Sequence, residues 1–166
     1  QKDNLKPDGF KGYIKFDNVH FSYNDINPVF KGLSFTVNPG ETVAIVGPTG
    51  AGKTSLINLI SRNYEFQKGK ITIDDLDIRN IDINILRSKI AVVLQDVFLF
   101  NTTILENITI GDLKISRKEV IQAAKKVGVH EFINLLPGGY DFEVKERGGL
   151  LSSGQRQIIA FLRAYV

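Results

Sequence analysis

Residues Gly47–Thr54 read "GPTGAGKT" and fit the pattern G-x-x-x-x-G-K-[ST]. Each residue type in that spacing has a chemical reason. Glycines let the backbone curl until consecutive N–H groups point inward, which suits phosphate oxygens. A helix that begins at the loop adds partial positive charge at its N-terminus. Lys53 supplies a full charge for the β- and γ-phosphates, and the Thr54 hydroxyl is an oxygen ligand of the kind Mg²⁺ takes. The chemistry is recognition of a nucleoside triphosphate. The loop alone does not choose ATP over GTP, or turnover over binding. A second chemically suggestive stretch lies near the end of the chain. There "LSSGQ", Leu151–Gln155, places polar residues at the start of an apolar-periodic run. Taken alone, that stretch reads equally well as a helix N-cap.

The elements that must position these residues follow from periodicity. "TVAIVG" before the loop reads as a buried strand, and "KTSLINLISR" after it as a helix with Leu56, Leu59 and Ile60 on one face. This strand–loop–helix order is the context a phosphate loop requires. Upstream, residues 13–21 alternate as a strand, with Ile14 and Phe16 in one phase and Val19 and Phe21 in another after a slip. "NDINP" is a turn, Val29–Val37 a second strand, and "NPG" another turn. "GKITID" reads as a short strand and "KIAVVL" as a buried parallel strand. After Gln95 the character becomes helical. "TILENI" is one helix. "SRKEVIQAAKKVG" is another, with a capping box from Ser116 and Glu119 and a stop at Gly128. Residues 1–12 are polar, contain Pro7, Gly9 and Gly12, and read as a linker.

Composition narrows the class. The chain has 166 residues, 43% hydrophobic and 23% charged, which is ordinary for a globular domain. A net charge of +3, with lysines and arginines spread along the chain, does not demand nucleic acid. The absence of cysteine excludes disulfides and cysteine metal sites. His20 and His130 have no ligand-spaced partners and read as ordinary surface or part-buried residues. No apolar run approaches the length of a membrane span, so the chain itself reads as soluble. It lacks methionine and starts at Gln1, so it reads as an excised or processed piece.

Four stretches in order carry a family resemblance: "FDNVHFSY" ending in Tyr23, "GPTGAGKT", "VVLQDVFLFNTTILENI", and "EVKERGGLLSSGQRQ". Together they resemble the nucleotide-binding domain of ATP-binding-cassette transporters, in the exporter branch that includes lipid flippases and multidrug exporters. The resemblance runs from about Tyr13 to Val166. It implies an α/β P-loop fold, a RecA-like core with an antiparallel β-subdomain (residues 13–96), and an α-helical subdomain (residues 97–166).

The resemblance also implies roles at matching positions. Tyr23 stacks on adenine. Gly47, Pro48, Thr49, Gly50, Ala51, Gly52, Lys53, Thr54 and Ser55 cradle the phosphates, with Lys53 acting in catalysis. Gln95 touches Mg²⁺ and the attacking water. Leu151, Ser152, Ser153, Gly154 and Gln155 form the signature that closes over ATP held by a second nucleotide-binding domain. The implied partners are that second domain, as a homodimer, and a transmembrane domain of the same polypeptide reached through residues 1–12. The implied place is the cytoplasmic face of a membrane.

Ser153 stands where the family pattern has glycine, and a serine resists positive φ. "EVKERG", Glu143–Gly148, resembles the segment that meets the transmembrane partner. The family's next strand, with its Asp and catalytic Glu, and the later switch His are not matched in this sequence. The expectation is therefore a C-terminally incomplete fold, inactive by itself, that is marginally stable, self-associates or needs its missing half. "ITIDD", Ile71–Asp75, matches a different strand and reads as structural. Two alternatives stay open at this point. One is another P-loop enzyme, a kinase or GTPase. The other is a nucleotide-dependent association module without turnover.

Overall fold

Alternating apolar residues make the first strand, and a broken alternation marks its bulge. In a computed structural model describing residues 5–24, 26–145 and 150–166, β1 spans Ile14–Ser22. It pairs antiparallel with β2 (Pro28–Val37) on one side and with β3 (Lys68–Ile73) on the other. β3 turns into the short β4 (Leu76–Asp77), and the sheet order is β2-β1-β3-β4. The slip read between Phe16 and Val19 is a register shift against both neighbours, with Asn18 at φ 48°. Asparagine tolerates that left-handed conformation better than most residues. Opposite it, a Cβ on Gly69 would lie 2.3 Å from the Asn18 carbonyl oxygen, so the bulge demands glycine there. Phe16, Val19, Phe21, Ile71 and Ile73 are buried in one cluster, and Phe16 stacks on Phe35 at 4.5 Å.

The chain divides into two compact units, residues 1–90 and 91–166. The first holds the sheet, α1 (Lys53–Ile60), a 3₁₀ turn (Ile78–Asn80) and α2 (Ile83–Ser88). Leu56 and Leu59 of α1 join the sheet's apolar cluster, as their spacing predicts. The Asp74 carboxylate accepts from the backbone N–H groups of Lys11, Gly12 and Tyr13, and Leu5 bridges to Ile81. The segment read as a linker is thus tied at two places within its described residues, and "ITIDD" provides one of the ties.

The second unit is helical: α3 (Ile104–Thr109), α4 (Arg117–Lys126), α5 (His130–Asn134), a 3₁₀ turn (Gly139–Asp141) and α6 (Ser153–Tyr165). α3, α4 and α6 each begin with a reciprocal capping box, formed by Thr103 with Glu106, Ser116 with Glu119, and Ser152 with Gln155. Their apolar faces share a core containing Leu99, Ile104, Ile108, Val120, Ile133, Ile159 and Leu162. His130 lies 2.9 Å from the Tyr140 hydroxyl and 3.0 Å from the Asn134 amide. His20 contacts Asn18.

Two expectations fail. "TVAIVG" and "KIAVVL" are not strands, and they are not buried. Val46 is 89% exposed and Leu94 63%, although both lie in apolar runs. A parallel strand becomes a buried strand only when neighbours pair with it on its edges and elements cover its faces. Among the described residues no strand pairs with either run. The apolar pattern records what each run suits, while the pairing has to come from elsewhere.

Candidate functional site

The loop 47–54 is shaped by two glycines whose conformation disfavours a side chain, and at one of them there is no room for one either. Gly50 has φ 85° and Gly52 φ 89°, both in the left-handed region. Gly52 is also the N-cap of α1, and a Cβ there would come within 2.8 Å of Phe30 Cε1 and Val29 Cγ1. β2 therefore packs directly against the point where the loop becomes helix. The Ala51 N–H donates to the Pro48 carbonyl at 3.2 Å, closing the turn before it. Lys53, the first residue of α1, curls back so that its ammonium donates to the carbonyls of Gly47 and Pro48 at 2.7 and 2.8 Å. The arrangement collects an ammonium, a helix N-terminus and backbone N–H groups in one exposed place. That combination suits a polyanion of the size of a triphosphate tail.

Thr54 is exposed in the first turn of α1, and Ser55 beside it is buried. The Ser55 hydroxyl lies 2.9 Å from the Tyr23 hydroxyl. Tyr23, just beyond the end of β1, is thereby brought to the helix that carries the loop. It remains 49% exposed, which leaves aromatic surface open for a flat ligand. The structure thus gathers Tyr23, the loop and Ser55 in the first unit. Asn58 and Tyr64, which the sequence reading missed, belong to the same group. Asn58 Nδ2 donates to the Tyr23 hydroxyl at 3.3 Å, and the Tyr64 ring meets Tyr23 edge-on at 4.8 Å. Asn58 stands three residues after Ser55 on one helix face, a spacing that could have flagged it. Tyr64 gave no such signal.

Gln95 and the segment Leu151–Gln155 belong to the second unit. Gln95 is exposed, and its carbonyl accepts from Gln157 Nε2 of α6 at 3.5 Å. Leu151 is buried in the second core, and its carbonyl accepts from Arg156 at 2.7 Å. It is the anchor of the segment. Ser152 caps α6: its Oγ accepts from the Gln155 N–H at 3.2 Å, and Gln155 Oε1 accepts from the Ser152 N–H at 2.8 Å. Ser153 is the first residue of the helix and is not among the positive-φ residues, so the conformational objection to serine at this place does not arise. Ser153 and Gly154 are exposed, and a Cβ on Gly154 would meet nothing closer than Ser152 Oγ at 4.0 Å. Their N–H groups head a thirteen-residue helix and have no acceptor within it. The remaining part of "EVKERG" beyond Lys145 lies outside the described residues.

Arg163, near the end of α6, is a further residue that sequence reasoning passed over. Burial pushes its guanidinium below the usual arginine value. It donates to the Asn107 carbonyl at 2.8 Å, while fully buried Asn107 pairs with the backbone of Phe100 in both directions. The stretch that follows Gln95 is therefore pinned to the helix that begins at Ser153.

Residues 30–166 match the family described as ABC transporter. The chain is 45% identical over 155 residues to a fatty acid ABC transporter ATP-binding/permease protein of Mycobacterium bovis, covering 93% of this chain and 25% of that relative. It is 47% identical over 159 residues to multidrug resistance protein pgp-1 of Caenorhabditis elegans, covering 94% of this chain and 12% of the relative. A solved structure of a bacterial Atm1-family ABC exporter with ATP bound superposes with a TM-score of 0.90 at 43% identity, over 100% of this chain and 29% of that one. The chain thus spans a quarter or less of the length of these two curated relatives.

Proposed function

The chain belongs to the ABC transporter family, and from that premise we propose that it is the ATP-binding part of an exporter. In this reading the loop 47–54 cradles the phosphates and Tyr23 carries the adenine. Lys53 exchanges its two backbone carbonyls for phosphate oxygens of higher charge. The N-terminus of α6, with Ser152 to Gln155, closes on the γ-phosphate of ATP held by a second copy. Binding of two ATP then joins two copies, and turnover releases them. In the polypeptide that carries this chain, that cycle drives a transmembrane domain from the cytoplasmic face of a membrane. The observation that carries the reading is the loop itself, with left-handed Gly50 and Gly52 and the Lys53 ammonium folded over it.

Mg²⁺ fits the same reading. The Thr54 hydroxyl and the Gln95 side-chain oxygen are neutral hard donors of the kind this ion accepts. Among the described residues no cluster of carboxylates, histidines or cysteines could hold it alone. Thr54 would hold it together with the phosphates, whose charge it offsets when bound. The matched relatives are named as ATP-binding/permease and multidrug resistance proteins, which supports export as the purpose.

Mixed dimers test the shared site. Copies carrying Lys53→Ala and copies carrying Ser152→Ala are combined in the intact transporter. If each site takes its loop from one copy and its signature from the other, the mixture keeps one intact site. ATP turnover then recovers to well above either variant alone. If loop and signature act within one copy, every site is damaged and the mixture stays as inactive as its parts.

A further inference from the structure

Tyr23 is half-exposed, yet its ring is held from three directions. Its hydroxyl lies 2.9 Å from Ser55 Oγ and accepts from Asn58 Nδ2 at 3.3 Å. With Asn58 donating to it, the tyrosine O–H is free to donate to Ser55. The ring centroid is 4.8 Å from that of Tyr64 with the planes at 90°, and 4.8 Å from that of Phe21 at 75°. Ser55 and Asn58 stand on α1, the helix that grows directly out of the phosphate loop. The ring is therefore fixed relative to the loop, and not merely to the end of β1.

Core packing does not account for this. Tyr23 and Tyr64 are each 49% exposed, whereas the neighbouring Phe21 is 2% exposed and serves the core. A hydroxyl-anchored, half-solvated aromatic pair contributes little to burial. It does preorganise a flat surface at a set distance from the phosphates. Preorganisation raises affinity by removing the ordering cost that a loose side chain would add on binding.

We propose that Asn58 and Tyr64 are positioning residues for the base of the nucleotide, acting through the Tyr23 ring. The proposal rests on the reading of Tyr23 as the base platform. It has one distinctive consequence: the base contribution to affinity depends on these residues and the phosphate contribution does not.

The test measures binding of MgATP and of inorganic tripolyphosphate with Mg²⁺ to the intact transporter, by titration calorimetry. Asn58→Leu and Tyr64→Ala should each weaken ATP about three- to tenfold, the range of one hydrogen bond or ring contact. Tripolyphosphate affinity should not change, and Tyr64→Phe should bind ATP as the wild type does. ATP affinity unchanged in both variants would overturn the proposal. So would a parallel fall for ATP and tripolyphosphate, which would mean that the residues support the loop and not the base. Tyr23→Ala separates the two levels of the argument. If it leaves the ratio of ATP to tripolyphosphate affinity unchanged, the base lies elsewhere and the platform reading fails with the proposal.

Discussion

At Gly52 two independent constraints meet in one residue. Its φ of 89° disfavours any side chain, and a Cβ would meet the Phe30 ring and Val29 at 2.8 Å. Gly52→Ala should therefore cost about 2 kcal/mol, combining backbone strain with overpacking. Urea unfolding of the two proteins would measure it. A loss below the error of that measurement would show that β2 yields easily. The sequence announced this glycine through its spacing to Lys53 and Thr54, because the chemistry of phosphate binding constrains residue types there. Tyr64 was illegible for the opposite reason. Its role arises from an edge contact with a ring far away in sequence, and no local pattern encodes such a meeting. Asn107 was equally silent, since a buried asparagine inside "TILENI" looks like any polar helical position until Phe100 is seen to pair with it.

Local rules governed some elements and failed for others. The three capping boxes combine residues three apart, a local pattern that the sequence showed at Ser116 and Glu119, while the boxes at Thr103 and Ser152 went unread. Residues 42–47 and 90–94 show the converse. Their apolar runs suit a buried strand, but a strand is completed by its neighbours, and those partners leave no mark within the run itself. A smaller element carries a pH prediction. The Asp77 carboxylate caps the 3₁₀ turn at Arg79 N and pairs with the Arg79 guanidinium at 2.6 Å, which lies over the Phe66 ring. Burial pushes Asp77 up, but the Arg79 hydrogen bonds and charge outweigh it and hold the carboxyl below its ordinary value of 3.8. Its stabilisation is then complete above that ordinary value and is lost as pH falls through the lowered one. Asp77→Asn keeps a capping oxygen but removes the charge that pairs with Arg79, so it should lose up to about 1 kcal/mol at neutral pH. The gap to wild type should close on acidification below that range. No gap at neutral pH, or a gap that stays constant down to acid pH, would show that the charge of Asp77 is not what stabilises the turn.

The molecule as a whole presents two units, each with its own core, and apolar backbone in each that no described strand covers. Val43, Ile45 and Val46 in the first, and Val92, Val93 and Leu94 in the second, are exposed in stretches that are neither helix nor strand. Unpaired apolar edges associate with one another. The 166-residue chain by itself should therefore sediment as a concentration-dependent mixture of species. A single monomer over a wide concentration range would show that these stretches are covered within the chain in solution.

In the proposed function the loop 47–54 binds the triphosphate of ATP through Lys53. Titration calorimetry of MgATP into the wild-type protein and into Lys53→Ala tests it most directly. Saturable binding should be seen in the wild type and be weakened at least tenfold in the variant, since a charge-assisted phosphate contact is lost. Equal affinity in the two proteins would contradict the account, because the ammonium that the loop holds would then have no part in holding the nucleotide.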